Sequence, residues 1–221
     1  KPFTTPQTSR PMEHADFSSI LEELRNNEDN TTHFSEAWSQ GRSAFGGLAA
    51  AFAVTAMRKL IAKEIPMRSL MVSFIAPLPP GKIEARASIQ RQGRNVTQMV
   101  GEVFSEGRLC LQALGVFGID RPGLTVEAEP IETPSRDIGI TFSDYRKRLP
   151  SFLSFFDGRW ISDGLPYSGK AARELRFWVK HKNPLEQFPA EKLVALADIP
   201  PPVILSHFQT RLTPTSCLPC N

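Results

Sequence analysis

Apolar and polar positions fall into blocks of different period along this chain, and the blocks predict its elements. Phe17, Ile20, Leu21 and Leu24 recur at i, i+3, i+4 and i+7, which predicts a short helix over Asp16–Arg25. Thr31–Gln40 alternates and reads as a strand. Gly41–Gly47 is a glycine-rich turn leading into a helix over Leu48–Lys63. From Leu48 to Met57 the only polar residue of that helix is Thr55. A helix apolar on every side must be covered on every side, and a curved sheet is the natural cover. Ala49, Ala50, Ala51 and Ala53 would let such a sheet come close.

Four strands follow, each closed by a turn signal. Arg68–Leu78 stops at Pro79-Pro80-Gly81, Lys82–Gln92 at Gly93-Arg94-Asn95, and Val96–Phe104 at Ser105-Glu106-Gly107. Lys82–Gln92 alternates cleanly, with Ile83, Ala85, Ala87 and Ile89 on one face. Arg108–Gly118 is almost continuously apolar and is placed inside the sheet. Strand, buried helix and four antiparallel strands make an α+β layer arrangement.

Beyond this block the pattern changes. Pro, Glu, Thr and Ser crowd the stretch after residue 119, which reads as a surface connector anchored at its end by Phe152, Leu153, Phe155 and Phe156. Strands at Arg159–Ile161 and Leu175–Val179 and a helix at Ala190–Ala197 then read as the opening of a second, similar unit. The expected division is 13–119, a connector over 120–157, and 158–221. Residues 1–11, rich in Pro and Thr, read as a disordered lead.

Composition narrows the classes. The chain is 41% hydrophobic and 22% charged, an ordinary globular balance. A formal net charge of +3 is too mild for a nucleic-acid binder, yet compatible with an anionic ligand. No run approaches the roughly 18 apolar residues of a membrane span. The first residues lack an apolar signal core, so no secretion signal is expected. Three Cys fit a reducing compartment better than a disulfide scaffold, so a cytoplasmic location is expected.

Candidate chemistry centres on Asp198. A carboxylate at a helix C-terminus faces the negative end of the dipole, at a cost of about 0.3–1 kcal/mol. A charge misplaced beside an apolar stripe suggests a base or water-holder with a raised pKa, although a solvated Asp before a Pro turn is the common alternative. Gly46 and Gly47 would let backbone approach a ligand, and the helix amides behind them would polarise a carbonyl. A tight turn is the equal alternative. Arg42, Arg58, Lys59 and Arg159 are candidate partners for phosphates, none of them singled out. Cys217-Leu218-Pro219-Cys220 has redox spacing but lacks the strand and helix that a redox motif needs. Ser43 lacks the closing Gly of a nucleophile elbow. His33 is expected to be packed or exposed, and Trp38, Trp160 and Trp178 to be core.

The run Gly41–Gly118 resembles the N-terminal hot dog of the acyl-CoA thioesterase II family, whose members are double hot dogs. The resemblance is carried by Phe45-Gly46-Gly47 before an Ala-rich helix, by "SLMVSFIAPLPPG", by the hairpin "RQGRNVTQMVGEVFSEG" and by "ALGVFG". "DGLPYSG", "RFWVKHKNP" and "LVALADIPPP" look like the start of the C-terminal hot dog. The resemblance spans roughly residues 13–205.

It implies hydrolysis of fatty acyl-CoA to free acid and CoA, in lipid metabolism, by a homo-oligomer without metal or organic cofactor. Family members hold the attacking water with an Asp, a Thr or Ser, and a Gln from the C-terminal unit. Only the Asp carries over, onto Asp198. Thr213, Thr215 and Ser216 lie ahead of the strand where the hydroxyl is expected, so the hydroxyl and the Gln are not assigned. Phe45, Gly46 and Gly47 are expected to line the substrate pocket. The unassigned partners keep two alternatives open: an acyl-CoA or lipid binder without catalysis, and a structural hot dog that pairs through its sheet edges.

Overall fold

The first helix forms where the apolar stripe predicts it. In the computed structural model, which describes residues 15–130, 132, 134–144, 149–162, 164–184 and 186–209, α1 spans Phe17–Asn26. Asp16 caps it by accepting the backbone N–H of Ser19 at 2.8 Å. Phe17, Ile20, Leu21 and Leu24 are all buried.

The strand expected over Thr31–Gln40 is broken. β1 covers only Thr31–Phe34. A 3-10 turn over Glu36–Trp38 follows, and then the short strands β2 (Ser39–Gln40) and β3 (Ser43–Ala44) pair with each other. The turn carries Trp38 fully inside, where its ring stacks on Phe155 at 4.0 Å and its Nε1 donates to the carbonyl of Ala15. Burying that indole overrides the local alternation.

α2 runs from Gly46 to Arg58, starting two residues earlier and ending five earlier than the sequence suggests. Every residue from Gly47 to Met57 is buried. The helix stops where its apolar run stops. Arg58 folds back to donate to the carbonyl of Ile65 at 2.6 Å, and Lys59 donates to the carbonyl of Asn27 at 3.0 Å. Full burial of Leu48, Phe52 and Met57 stabilises by roughly 1.5–3 kcal/mol each, which makes this helix the main anchor of the fold.

The sheet that covers α2 has the order β1-β5-β6-β7-β4 and every pairing in it is antiparallel. Here β4 is Met67–Phe74, β5 is Gly81–Gln92, β6 is Val96–Ser105 and β7 is Arg108–Gly118. β7 lies inside the sheet, as its apolar run requires. β4 ends four residues short of the expected Leu78 because Ile75 and Ala76 both donate to the carbonyl of Cys110, which breaks the register. Ile83 and Ala85 are buried, whereas Ile89, on the same face, is 41% exposed. The sheet approaches α2 closely. A Cβ on Gly101 would stand 2.9 Å from the carbonyl oxygen of Ala53, so only glycine fits there.

A second sheet has the order β10-β9-β8, with β8 at Ile140–Thr141, β9 at Phe156–Trp160 and β10 at Phe177–His181. Its strands are displaced by a few residues from the expected ones. β8 arises within the expected connector. The predicted anchor holds, since Phe152 and Leu153 are buried and Phe152 stacks on Phe45 at 4.1 Å.

α3 (Pro189–Ala197) packs along α2. Gly47 lies against Ala195, and Thr55 lies against Glu191, so the two helices run antiparallel. No helix among the described residues is long and apolar enough to cross a membrane.

Candidate active site

The N-terminus of α2 begins without a side-chain cap, because Phe45 occupies the capping position. Leu48 and Ala49 donate to the Phe45 carbonyl, which leaves the N–H groups of Gly46 and Gly47 without partners inside the helix. The acceptor arrives from the other helix. Asp198, at the C-cap of α3, brings its carboxylate up to the backbone N–H of Gly47, which favours the charged form.

This placement reverses the local electrostatics. Asp198 does face the negative end of its own helix, as the sequence implies. Antiparallel packing also sets it on the positive end of α2, where a carboxylate is favoured. The residue is exposed at the surface, but its carboxyl is hemmed in. A Cβ on Gly46 would stand 2.6 Å from Asp198 Oδ2 and 3.0 Å from Phe74 Cζ. Burial raises the Asp198 pKa above the ordinary Asp value, against the lowering effect of the Gly47 hydrogen bond. A carboxylate with a raised pKa and one face toward an aromatic ring is suited to take a proton from water.

Gly47 serves a second purpose. A Cβ there would lie 2.8 Å from the Cα of Ala195 and 2.6 Å from the Phe45 ring. Its bareness lets α3 come close enough to deliver Asp198. Gly46 leaves room for the carboxylate itself.

Of the expected site residues, the structure thus brings Asp198, Gly46 and Gly47 together. Phe45 sits at the same turn, but its ring is fully buried between Phe152 and Phe156. It has no free face for a ligand and supports the turn from the core. Phe74 was not singled out from the sequence, although it closes the carboxylate from the sheet side and is 59% exposed.

The other candidates fall elsewhere. Ser43 Oγ accepts the N–H of Leu78 at 3.0 Å, a structural bond. His33 is exposed and lies 3.7 Å from Glu23. Arg159 donates to the carbonyls of Asp137 and Gly139. Trp38 and Trp160 are core. Thr213, Thr215, Ser216, Cys217 and Cys220 lie outside the described residues. No group of three or more potential metal ligands occurs among the described residues.

Residues 34–118 match the family model of the acyl-CoA thioesterase N-terminal domain. No curated protein sequence matches the chain. Among solved structures, a hot-dog protein of unknown function from Alicyclobacillus acidocaldarius superposes with a TM-score of 0.72 at 19% identity, over 87% of this chain and 74% of that one. A provisionally named thioesterase II from Thermobifida fusca gives 0.70 at 18% identity, over 88% and 75%. The acyl-CoA thioesterase II TesB2 from Mycobacterium marinum gives 0.57 at 18% identity, over 81% and 67%. At such identities the structural likenesses establish the fold, which is the hot dog. Residues 34–118 are thus similar to the N-terminal domain of acyl-CoA thioesterases, within a chain that has the hot-dog fold.

Proposed function

We propose that the protein hydrolyses fatty acyl-CoA thioesters to free acid and CoA, with Asp198 as the base. The observation that carries this reading is the Asp198 carboxylate seated on the uncapped N-terminus of α2 and partly desolvated by burial, with Gly46 beside it. Asp198 takes a proton as water attacks the thioester carbonyl carbon. The carbonyl oxygen gathers negative charge and is stabilised by the N-terminal amides of α2, with Gly46 N–H the one not held by Asp198. As the tetrahedral species collapses, the C–S bond breaks and the thiolate recovers the proton from Asp198. The scheme calls for no metal and no organic cofactor. Exposed Phe74, beside Gly46, marks the side on which the acyl chain would lie.

A place in cytoplasmic lipid metabolism and assembly as a homo-oligomer accompany this reading. The experiment is thiol release from acyl-CoAs of graded chain length by the full chain, with binding measured in parallel. Turnover of at least one chain length is expected. Binding without turnover at every length would overturn hydrolysis in favour of a binding role.

A further inference from the structure

The antiparallel helix pair has a second end, built on the same plan. Thr55 stands nine residues after Gly46, the first residue of α2, as Asp198 stands nine after Pro189, the first of α3. Both helices carry a buried Phe, Phe45 or Phe188, at the N-cap. Along α3, Glu191, Ala195 and Asp198 form one stripe at i, i+4 and i+7, so its two carboxylates face α2 from opposite ends. One end is the candidate active site. The other opens into a cavity of about 230 Å³, lined by Arg25, Thr55, Arg58, Lys59, Lys63 and Glu191 among others.

The charge in this cavity is unbalanced. Glu191 is 3% exposed, and its carboxylate accepts the Thr55 hydroxyl at 3.4 Å. Four cations surround this one acid. None of them forms an ion pair within 4 Å among the described residues. Arg25 donates to Gln187 at 3.0 Å and lies over the Phe188 ring. Arg58 and Lys59 are held by backbone carbonyls, and Lys59 also donates to Asn30 Oδ1 at 2.6 Å. Lys63 is exposed. Positive charge held by neutral oxygens beside a hydroxyl and a buried acid is the arrangement that receives an oxyanion.

We propose that this cavity is a second ligand site, distinct from Asp198, that binds a phosphate-class anion with uptake of a proton by Glu191. The groups facing Glu191 are Arg25 from α1, Thr55 and Arg58 from α2, and Lys59 and Lys63 beyond its end. Lys192 follows it in α3. Burial already favours its neutral form, against the charges of Arg58 and Arg25. An incoming anion adds to that preference and accepts hydrogen bonds from the cations. Protonation and anion binding therefore reinforce each other.

Isothermal titration of the full chain tests this with two probes. Inorganic sulfate keeps a constant charge across the neutral range, and adenosine 3′,5′-bisphosphate carries the same chemistry on a nucleotide. Saturable binding is expected, tighter at lower pH. Lys63→Glu weakens it by about tenfold or more, whereas the control Lys82→Glu on β5 does not. Glu191→Gln binds more tightly at neutral pH and loses the pH dependence. Tighter binding of the bisphosphate than of sulfate marks a nucleotide ligand; equal binding marks a free inorganic anion. Absence of saturable binding, or equal affinity in wild type and Lys63→Glu, overturns the proposal. Asp198→Asn leaves this binding intact, so its outcome is separate from that of the hydrolysis assay.

Discussion

The carboxylate of Asp198, at the end of α3, sits on the first turn of α2, where it meets the backbone N–H of Gly47. The approach sets the positive end of one helix against a charge that its own helix disfavours. The proposed hydrolysis would activate its water there.

Gly46→Ala tests the fit around that carboxylate. The new Cβ would fall 2.6 Å from Asp198 Oδ2, so the carboxylate must swing aside. Phe74, largely exposed, can yield. We expect thiol release to fall about tenfold to a hundredfold, with a change in unfolding free energy below about 1 kcal/mol. Parallel assays of turnover and urea unfolding check this.

Gly47→Ala fails differently. Its Cβ meets the Ala195 backbone at 2.8 Å, which cannot yield without separating the helices. A loss of about 1–3 kcal/mol in stability accompanies loss of turnover, measured by urea unfolding.

His181 makes the fold acid-sensitive. The imidazole is buried between Phe17 and Phe156, with ring centroids at 4.9 and 4.6 Å. Burial lowers its pKa to about 4, from 6.5. The unfolded chain therefore takes up the proton first. This contribution to stability is present above about pH 6.5 and is lost as pH falls toward about 4, with a slope of at most about 1.4 kcal/mol per pH unit. His181→Phe is expected to flatten the acid limb of a stability–pH curve.

Glu191 acts with the opposite sign. Its folded pKa is raised by burial, so its contribution is present below the unfolded value and fades as pH rises through the folded one. Glu191→Gln keeps a group able to bond Thr55 and removes the ionisation. It should melt at a higher temperature than wild type at neutral pH, and at the same temperature in acid.

Much of this was legible in the chain. The uniformly apolar run from Leu48 to Met57 demanded a wrapping sheet, and the turn residues after each strand fixed its strands. What escaped was tertiary. Trp38 breaks its strand because Phe155, more than a hundred residues away, offers it a stacking partner. The reading of Asp198 as a costly charge used only its own helix; the compensating N-terminus of α2 is a long-range contact. Glu191 gave a signal that went unused, since a charge at i of the stripe through Ala195 and Asp198 sits on a face that must be covered. The missing account of the hydroxyl and Gln partners has a plain cause: no described residue lies in the strands where they are expected.

The most direct test is kcat/KM for thiol release from a medium-chain acyl-CoA by the wild-type chain and by Asp198→Asn. Asn keeps an oxygen for the Gly47 N–H and cannot take the proton. The account predicts a folded variant with activity lowered by about a hundredfold or more. Equal activity in the two proteins would contradict it.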